Sequence, residues 1–203
     1  MFPSAEVRWF WNNICPQQVH DWFFKTGLPP GGGHARTDRY LFQPNTAEIG
    51  IKERGDTPGL QVKGLVATRQ SPPLAAIASH IEIWCKWSCT IPRSIFTDEV
   101  VVTKTRWLRQ FDTSKPGAIE IPLNSDEPGY SLPVEGCNVE LTEVRILNRS
   151  DVWWTLGFEA FGDVDTVPMN LTRVLLPEKS NLASIVSSGT VLNYPGWLLK
   201  FAN

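Results

Sequence analysis

Apolar and polar residues alternate with a period of two over most of the chain, which is typical of strands that bury one face. Breaks rich in Pro, Gly or Asp separate the alternating segments, as at residues 55–59. Because closure removes unpaired sheet edges, eight mostly antiparallel strands favour a closed barrel in one mainly β (α+β) domain over residues 1–203. The predicted strands cover residues 6–11, 37–42, 48–54, 60–66, 80–89, 99–108, 137–147 and 152–161.

Two segments show helical periodicity instead. Residues 16–25 place Val19, Trp22 and Phe23 on one face of a helix that begins near Pro16. Residues 181–187 also carry apolar side chains on one face, so a few helices are expected to flank the barrel. The three glycines at 31–33 precede neither Gly-Lys-Ser/Thr nor a helical pattern, and they predict a flexible connector and not a phosphate loop.

Composition narrows the functional classes. The 203 residues carry a formal net charge of −2 without a block of like charges, which argues against a nucleic acid polymer or a membrane as the partner. No apolar stretch approaches the ~18–20 residues of a membrane span and no leader pattern opens the sequence, so a cytoplasmic location is expected. Cys85 and Cys89 would lie about 13 Å apart along a strand, too far for a disulfide or a metal knuckle, so reduced thiols are expected.

Charged residues two positions apart project from the same strand face. Lys52 and Arg54 form one such pair, and Lys104 and Arg106 form another, while Glu140 shares a face with Asn138 and Thr142 late in the chain. If these faces point inward, cations from early strands oppose carboxylates from late strands. If they point outward, they are an ordinary solvated surface. Alternation alone leaves both interpretations open.

Other charges near these pairs follow the same alternation. Arg109 and Arg145 are left open between the anion site and solvent, and Arg109, on the strand face opposite Arg106, is the less favoured of the two for the site. Glu143 lies on the face opposite Glu140, and only a bulge would bring both inward. Lys86 is left open between the lumen and the surface.

An enclosed set of such charges has a specific chemical use. A polyphosphate needs Arg and Lys donors from several directions to replace its hydration. Carboxylates would repel it unless a divalent cation lies between them, and Mg²⁺ or Mn²⁺ prefers such oxygen ligands. A metal-held water would then permit hydrolysis at neutral pH.

Several short motifs resemble one known family. Glu-Ile-Gly-Ile-Lys-Glu-Arg at 48–54, followed by Leu-Gln-Val-Lys at 60–63, is similar to the paired basic strands of the CYTH superfamily, the triphosphate tunnel metalloenzymes. The correspondence runs in order over residues 6–198. The further matching segments are Thr-Asp-Arg-Tyr-Leu at 37–41, Lys-Thr-Arg at 104–106, Val-Glu-Leu-Thr-Glu at 139–143, Leu-Gly-Phe-Glu-Ala-Phe at 156–161 and Tyr-Pro-Gly-Trp-Leu at 194–198.

This resemblance implies an eight-stranded antiparallel tunnel for a small-molecule polyphosphate: inorganic triphosphate, thiamine triphosphate or a nucleotide. It also implies hydrolysis of that compound with Mg²⁺ or Mn²⁺. The implied phosphate contacts come from Lys52, Arg54, Lys63, Lys104 and Arg106. The implied metal ligands are Glu140 and Glu159, with Glu6 as a third.

The first strand departs from the family's Glu-x-Glu-x-Lys pattern. The matching stretch is Glu-Val-Arg-Trp-Phe, so Arg8 stands in place of the second glutamate and Phe10 in place of the lysine. A guanidinium beside a bound metal repels it, at a cost on the order of several kcal/mol. We therefore expect Arg8 to add a phosphate contact while metal affinity and catalysis weaken.

Two alternatives follow from these residues. The first is a non-catalytic barrel that binds an organic polyanion or a protein partner, after loss of the metal-binding pattern. The second is an apolar-ligand barrel, which expects Val100 and Val102 inside while Lys104 and Arg106 reach solvent. The direction of the charged side chains distinguishes all of these hypotheses.

Overall fold

The computed structural model describes residues 2–55, 57–90, 98–123 and 133–202, and in them eight strands close into an antiparallel barrel. Around the barrel the order is β1-β5-β4-β3-β2-β6-β8-β9, and β9 pairs with β1 to close it. Short strand β7 pairs with β6 beyond the end of its pairing with β2, and short strand β10 pairs with β1 beyond the end of its pairing with β5. The strands are β1 (Phe2–Asn12), β2 (Gly31–Leu41), β3 (Ile49–Arg54), β4 (Thr57–Gln70), β5 (His80–Cys89), β6 (Glu99–Asp112), β7 (Ile119–Ile121), β8 (Gly136–Ile146), β9 (Val152–Phe161) and β10 (Thr190–Val191).

The closed, mainly β barrel predicted from the alternation is confirmed. The prediction for the three glycines is wrong, because they begin β2 and pair with β6. Gly32 has a φ of 109°, and a Cβ built there would overlap the Arg106 carbonyl oxygen. The register shifts between Gly32 and His34, so the glycines allow the backbones of β2 and β6 to approach each other closely at a bulge.

Three helices cover the outer face of one half of the barrel and explain why the charged faces of that half point inward. They are α1 (Gln17–Lys25), α2 (Val167–Leu175) and α3 (Lys179–Ile185). Ala5, Val7 and Trp9 of β1 are buried in a core with side chains of these helices and with the outer faces of β5, β8 and β9. Since the apolar positions of these strands are taken up outside, the alternate positions face the lumen. The helices predicted at 16–25 and 181–187 correspond to α1 and α3, shifted by one or two residues.

A fourth helix, α4 (Tyr194–Phe201), closes one end of the barrel from within. The Asn193 side chain caps it by accepting a hydrogen bond from the Gly196 amide at 2.7 Å. The ring of Phe10 stacks on that of Trp197 with 5.6 Å between centroids. Phe10 therefore belongs to an apolar plug, and the remaining lumen opens at the opposite end. In the described part of the chain, no helix is both long and apolar enough to cross a membrane.

Candidate functional site

The barrel encloses a cavity of about 630 Å³ above the α4 plug. Every site residue proposed from the sequence lines this one cavity: Glu6, Arg8, Lys52, Arg54, Lys63, Lys104, Arg106, Glu140 and Glu159. The charged faces of the strands therefore point inward. The apolar-ligand alternative expected Lys104 at the solvent, but the residue is only 3% exposed. Val102 does pack inside, as that alternative expected, but it lies in the plug.

Charges of opposite sign occupy opposite halves of the lumen. The basic half comprises four consecutive strands, β4, β3, β2 and β6, which carry Lys63, Lys52, Arg54, Arg36, Lys104 and Arg106. The acidic half comprises β8, β9, β1 and β5, which carry Glu140, Glu159, Glu6 and Glu82. Two cations, Arg8 and Lys86, lie in the acidic half. Eight cationic side chains thus line the cavity against four carboxylates, so the lumen attracts anions.

The buried carboxylate of Asp38 pairs with cations at the centre of the basic half. Asp38 accepts hydrogen bonds from Lys52 at 3.0 Å and from Arg36 at 3.1 Å. The ammonium of Lys104 lies 3.6 Å from the same carboxylate. Burial alone would raise the pKa of Asp38, but these three cations outweigh it and hold the pKa well below its usual range.

Lys104 lies at the floor of the cavity, against two tyrosines. It donates to the Tyr40 hydroxyl at 2.6 Å, and its ammonium lies 3.4 Å from the centre of the Tyr194 ring. Burial and the neighbouring Lys52 lower the pKa of Lys104 well below its usual value. Burial raises the pKa of Tyr194 to about 12, against the opposing effect of Arg8.

Arg54 has no ion pair or hydrogen bond through its side chain among the described residues. Burial lowers the pKa of Arg54, and the positive charges of Arg36 and Arg106 lower it further. The basic half therefore holds more positive charge than its own carboxylate compensates, and Arg54 is the cation available to a ligand.

Three of the four carboxylates of the acidic half, all except Glu82, are already paired with cations of the chain. Glu140 accepts from Arg106 at 2.6 Å and from Arg8 at 3.2 Å. Burial opposes ionisation of Glu140, but these two guanidinium groups hold its pKa far below the usual range. Lys63 bridges the other two, since its ammonium contacts Glu6 and lies 3.2 Å from Glu159.

The pKa values of Glu6 and Glu159 are shifted in opposite directions, although the two groups share Lys63. Burial raises the pKa of Glu6, and the negative charge of Glu159 adds to that effect. The charge of Lys63 lowers the pKa of Glu159. The pair together holds one lysine as its counterion.

In this arrangement the predicted ligands do not fit a divalent cation. The oxygens of Glu140 accept from two arginines, and those of Glu6 and Glu159 face an ammonium. Among the described residues, no three His, Cys, Asp or Glu side chains converge closely enough to hold a metal ion. The assignment of Glu6, Glu140 and Glu159 to Mg²⁺ or Mn²⁺ remains a prediction.

Arg109, Glu143 and Arg145 lie outside the cavity. Arg109 donates to Glu120 at 2.6 Å on the outer side, and Glu143 accepts from the exposed Arg145 at 2.8 Å. Lys86, which alternation left open, lines the cavity.

Sequence reasoning did not assign Arg36 to the site. Arg36 lies two positions before Asp38 and four before Tyr40, so alternation extended backwards along the strand would have found it. The strand was predicted to begin at residue 37 because the preceding glycines were interpreted as a connector. Tyr194 belonged to a recognised motif but had no role, since a helix inside the lumen leaves no strand-like signal.

Comparison with known proteins gives little further identification. No protein-family model matches the chain, and a search of curated proteins finds no match. Among solved structures, the chain is similar to the S. pombe Pct1 RNA triphosphatase, with 11% identity over 92% of this chain and 80% of that one. The TM-score is 0.40, and a likeness at this level is too weak to assign a function.

Proposed function

We propose that the barrel binds the polyphosphate group of a small triphosphate-containing compound, and that the phosphates lie along the basic half of the lumen. The observation that carries this proposal is the excess of positive charge around Asp38. Three cations, Arg36, Lys52 and Lys104, share this one carboxylate, and the neighbouring Arg54 has no ion pair among the described residues. An anion bound among them would compensate a repulsion that the folded chain otherwise retains.

The chemistry of the donors supports phosphate over a smaller anion. Guanidinium groups present planar pairs of N–H donors that match two phosphate oxygens, while an ammonium acts as a point charge. Arg36, Arg54 and Arg106 come from three adjacent strands, and the two lysines lie deeper, beside Tyr40. A cavity of about 630 Å³ has the size of a typical small-molecule site.

Calorimetric titration with inorganic tripolyphosphate tests the proposal, with orthophosphate and sulfate as smaller anions. We expect tripolyphosphate to bind far more tightly than either, and its affinity to fall as salt is raised. Lys52→Ala combined with Arg54→Ala should abolish binding, while Arg145→Ala with Lys115→Ala, two exposed cations, should leave it unchanged. Equal affinity in the two double variants would refute the proposal.

Metal-assisted hydrolysis of the bound triphosphate is the second candidate. The cross-strand register brings the carboxylates that it would need onto adjacent strands, since Glu6 pairs with Glu82 on one side and with Glu159 on the other. Three carboxylates thus lie on three adjacent strands. A metal ion would have to displace Lys63 from Glu6 and Glu159. Phosphate release from inorganic triphosphate, thiamine triphosphate and ATP, measured with Mg²⁺ or Mn²⁺, tests this reaction. No turnover with either metal would remove this candidate. Turnover that survives Glu159→Gln as it does in the matched control Glu143→Gln would remove Glu159 from the metal site.

A cytoplasmic location is part of the proposal. All four cysteines of the chain are free thiols in the structure, as suits a reducing compartment. Localisation of the tagged chain by microscopy or fractionation tests this assignment.

A further inference from the structure

We infer that Arg8 is a built-in cation that compensates the acidic half of the lumen in place of a divalent metal, so that the barrel binds its polyphosphate ligand without a metal ion. The inference rests on the proposed function for the identity of the ligand. It concerns a separate property, namely whether that ligand requires a metal.

Arg8 is held in the lumen by three different elements. Its Nη1 donates to Thr155 Oγ1 of β9 at 3.3 Å, and its Nη2 donates to Glu140 Oε2 of β8 at 3.2 Å. The guanidinium also lies 4.8 Å from the centre of the Tyr194 ring at the start of α4. The residue is 7% exposed, so it is a fixed charge and not a solvated surface arginine.

The opposing strand leaves space for this guanidinium. Gly157 pairs with Arg8 across the β1–β9 ladder. A Cβ built on Gly157 would overlap Cζ and Nη2 of Arg8 and would lie 2.5 Å from Nη1. Gly157 is not among the residues of positive φ, so its backbone would accept alanine. The glycine is therefore required by the arginine side chain and not by the strand.

The charge balance of the acidic half assigns Arg8 its role. Arg8 and Arg106 approach the two different oxygens of Glu140, and Lys63 bridges Glu6 and Glu159. The cations that these carboxylates require for burial are thus supplied by the chain itself. A divalent cation placed beside the fixed guanidinium would be repelled.

Arg8 retains donors for a ligand. A guanidinium has five N–H groups, and the contacts with Thr155 and Glu140 use two of them. The side chain lines the cavity, and Glu140 holds it next to Arg106 of the basic half. A phosphate chain on the basic half would therefore reach Arg8 across Glu140, where a metal ion would otherwise join phosphate to carboxylate.

The test is calorimetric titration of the full wild-type chain with inorganic tripolyphosphate, in chelator and in Mg²⁺ or Mn²⁺. We expect the affinity in chelator to equal or exceed that with metal, because the metal also competes for the free anion. Affinity at least tenfold tighter with metal, about 1.4 kcal/mol, would overturn the inference while leaving the proposed function intact. No binding under any condition would instead refute the proposed function.

A matched pair of glycine variants tests the position of Arg8. Gly157→Ala should lower the affinity in chelator about tenfold by displacing the guanidinium. Gly64→Ala places its methyl group at an ordinary 3.7 Å from Trp87 and should leave the affinity unchanged. Equal affinity in the two variants would contradict the inference. The wild-type comparison with and without chelator decides the question even if Gly157→Ala fails to fold.

Discussion

The ammonium of Lys104 lies over the ring of Tyr194, 3.4 Å from its centre, where a strand of the basic half meets the first residue of the plug helix. The same ammonium donates to Tyr40 and lies near Asp38, so it is surrounded by aromatic rings and one shared carboxylate. Few cations in the lumen are so deeply buried, since Lys104 is 3% exposed. Its charge would attract an anionic ligand, and it destabilises the barrel when no ligand is bound.

Replacement of this lysine should separate stability from binding. We expect Lys104→Met to raise the free energy of unfolding at neutral pH by about 1 kcal/mol, since an apolar group replaces an under-compensated buried charge. Tripolyphosphate affinity should fall in the same variant. Urea unfolding and calorimetry measure the two effects, with the exposed Lys115→Met as control. A large loss of stability in Lys104→Met would contradict this prediction.

The lowered pKa of Lys104 also predicts a dependence on pH. Below the ordinary lysine pKa the unfolded chain binds this proton more strongly than the folded chain does. The free energy of unfolding should therefore rise with pH as the value for the unfolded lysine is approached. Urea unfolding between about pH 7 and 9 should show this rise in the wild type and a smaller one in Lys104→Met. Identical slopes would show that Lys104 does not titrate in this way.

The lowered pKa of Asp38 predicts that the free energy of unfolding falls in acid. Because the folded-state pKa of Asp38 lies below its unfolded value, its contribution is complete above about pH 4 and is lost as the pH falls further. Asp38→Asn should cost about 3 kcal/mol at neutral pH, since it leaves three cations without their carboxylate. The fall in the free energy of unfolding on acidification should then be smaller in Asp38→Asn than in the wild type. The exposed Asp165→Asn should behave like wild type.

Substitution of Arg54 should weaken ligand binding without lowering the stability of the fold. Its neighbours Arg36 and Arg106 repel it, and its guanidinium has no acceptor in the described part of the chain. Arg54→Gln should lower tripolyphosphate affinity about tenfold, or about 1.4 kcal/mol, without lowering the melting temperature. A drop in melting temperature, or an affinity unchanged as in the control Arg145→Gln, would show that Arg54 has another role.

The plug predicts that Phe10 has a structural role. Phe10 is 1% exposed and stacks on Trp197, so Phe10→Ala should cost about 3–5 kcal/mol. Phe2→Ala, the same change at a 62% exposed position, should cost less than about 0.5 kcal/mol. Thermal and urea unfolding measure both. A small effect of Phe10→Ala would mean that α4 does not depend on this stack.

The period-two pattern was sufficient to predict the strands and to sort charges into faces, because side-chain direction in a strand is a local property. It could not decide that the Lys52 and Arg54 face is the inner one, since that depends on how β3 is built into the closed barrel. Nor could it pair Arg8 with Glu140, which is 132 residues away in sequence. The plug was missed for the same reason, because α4 fills space that only closure of the barrel creates.

The division of the lumen into two halves of opposite charge has a consequence for how a ligand lies in it. Since each half comprises four consecutive strands, the electric field runs across the barrel, from one side to the other, and not along its axis. A molecule drawn inside is therefore rotated as well as attracted. We expect the phosphates of the proposed ligand to turn to β2, β3 and β6, and the rest of the ligand to turn to β9 and β5.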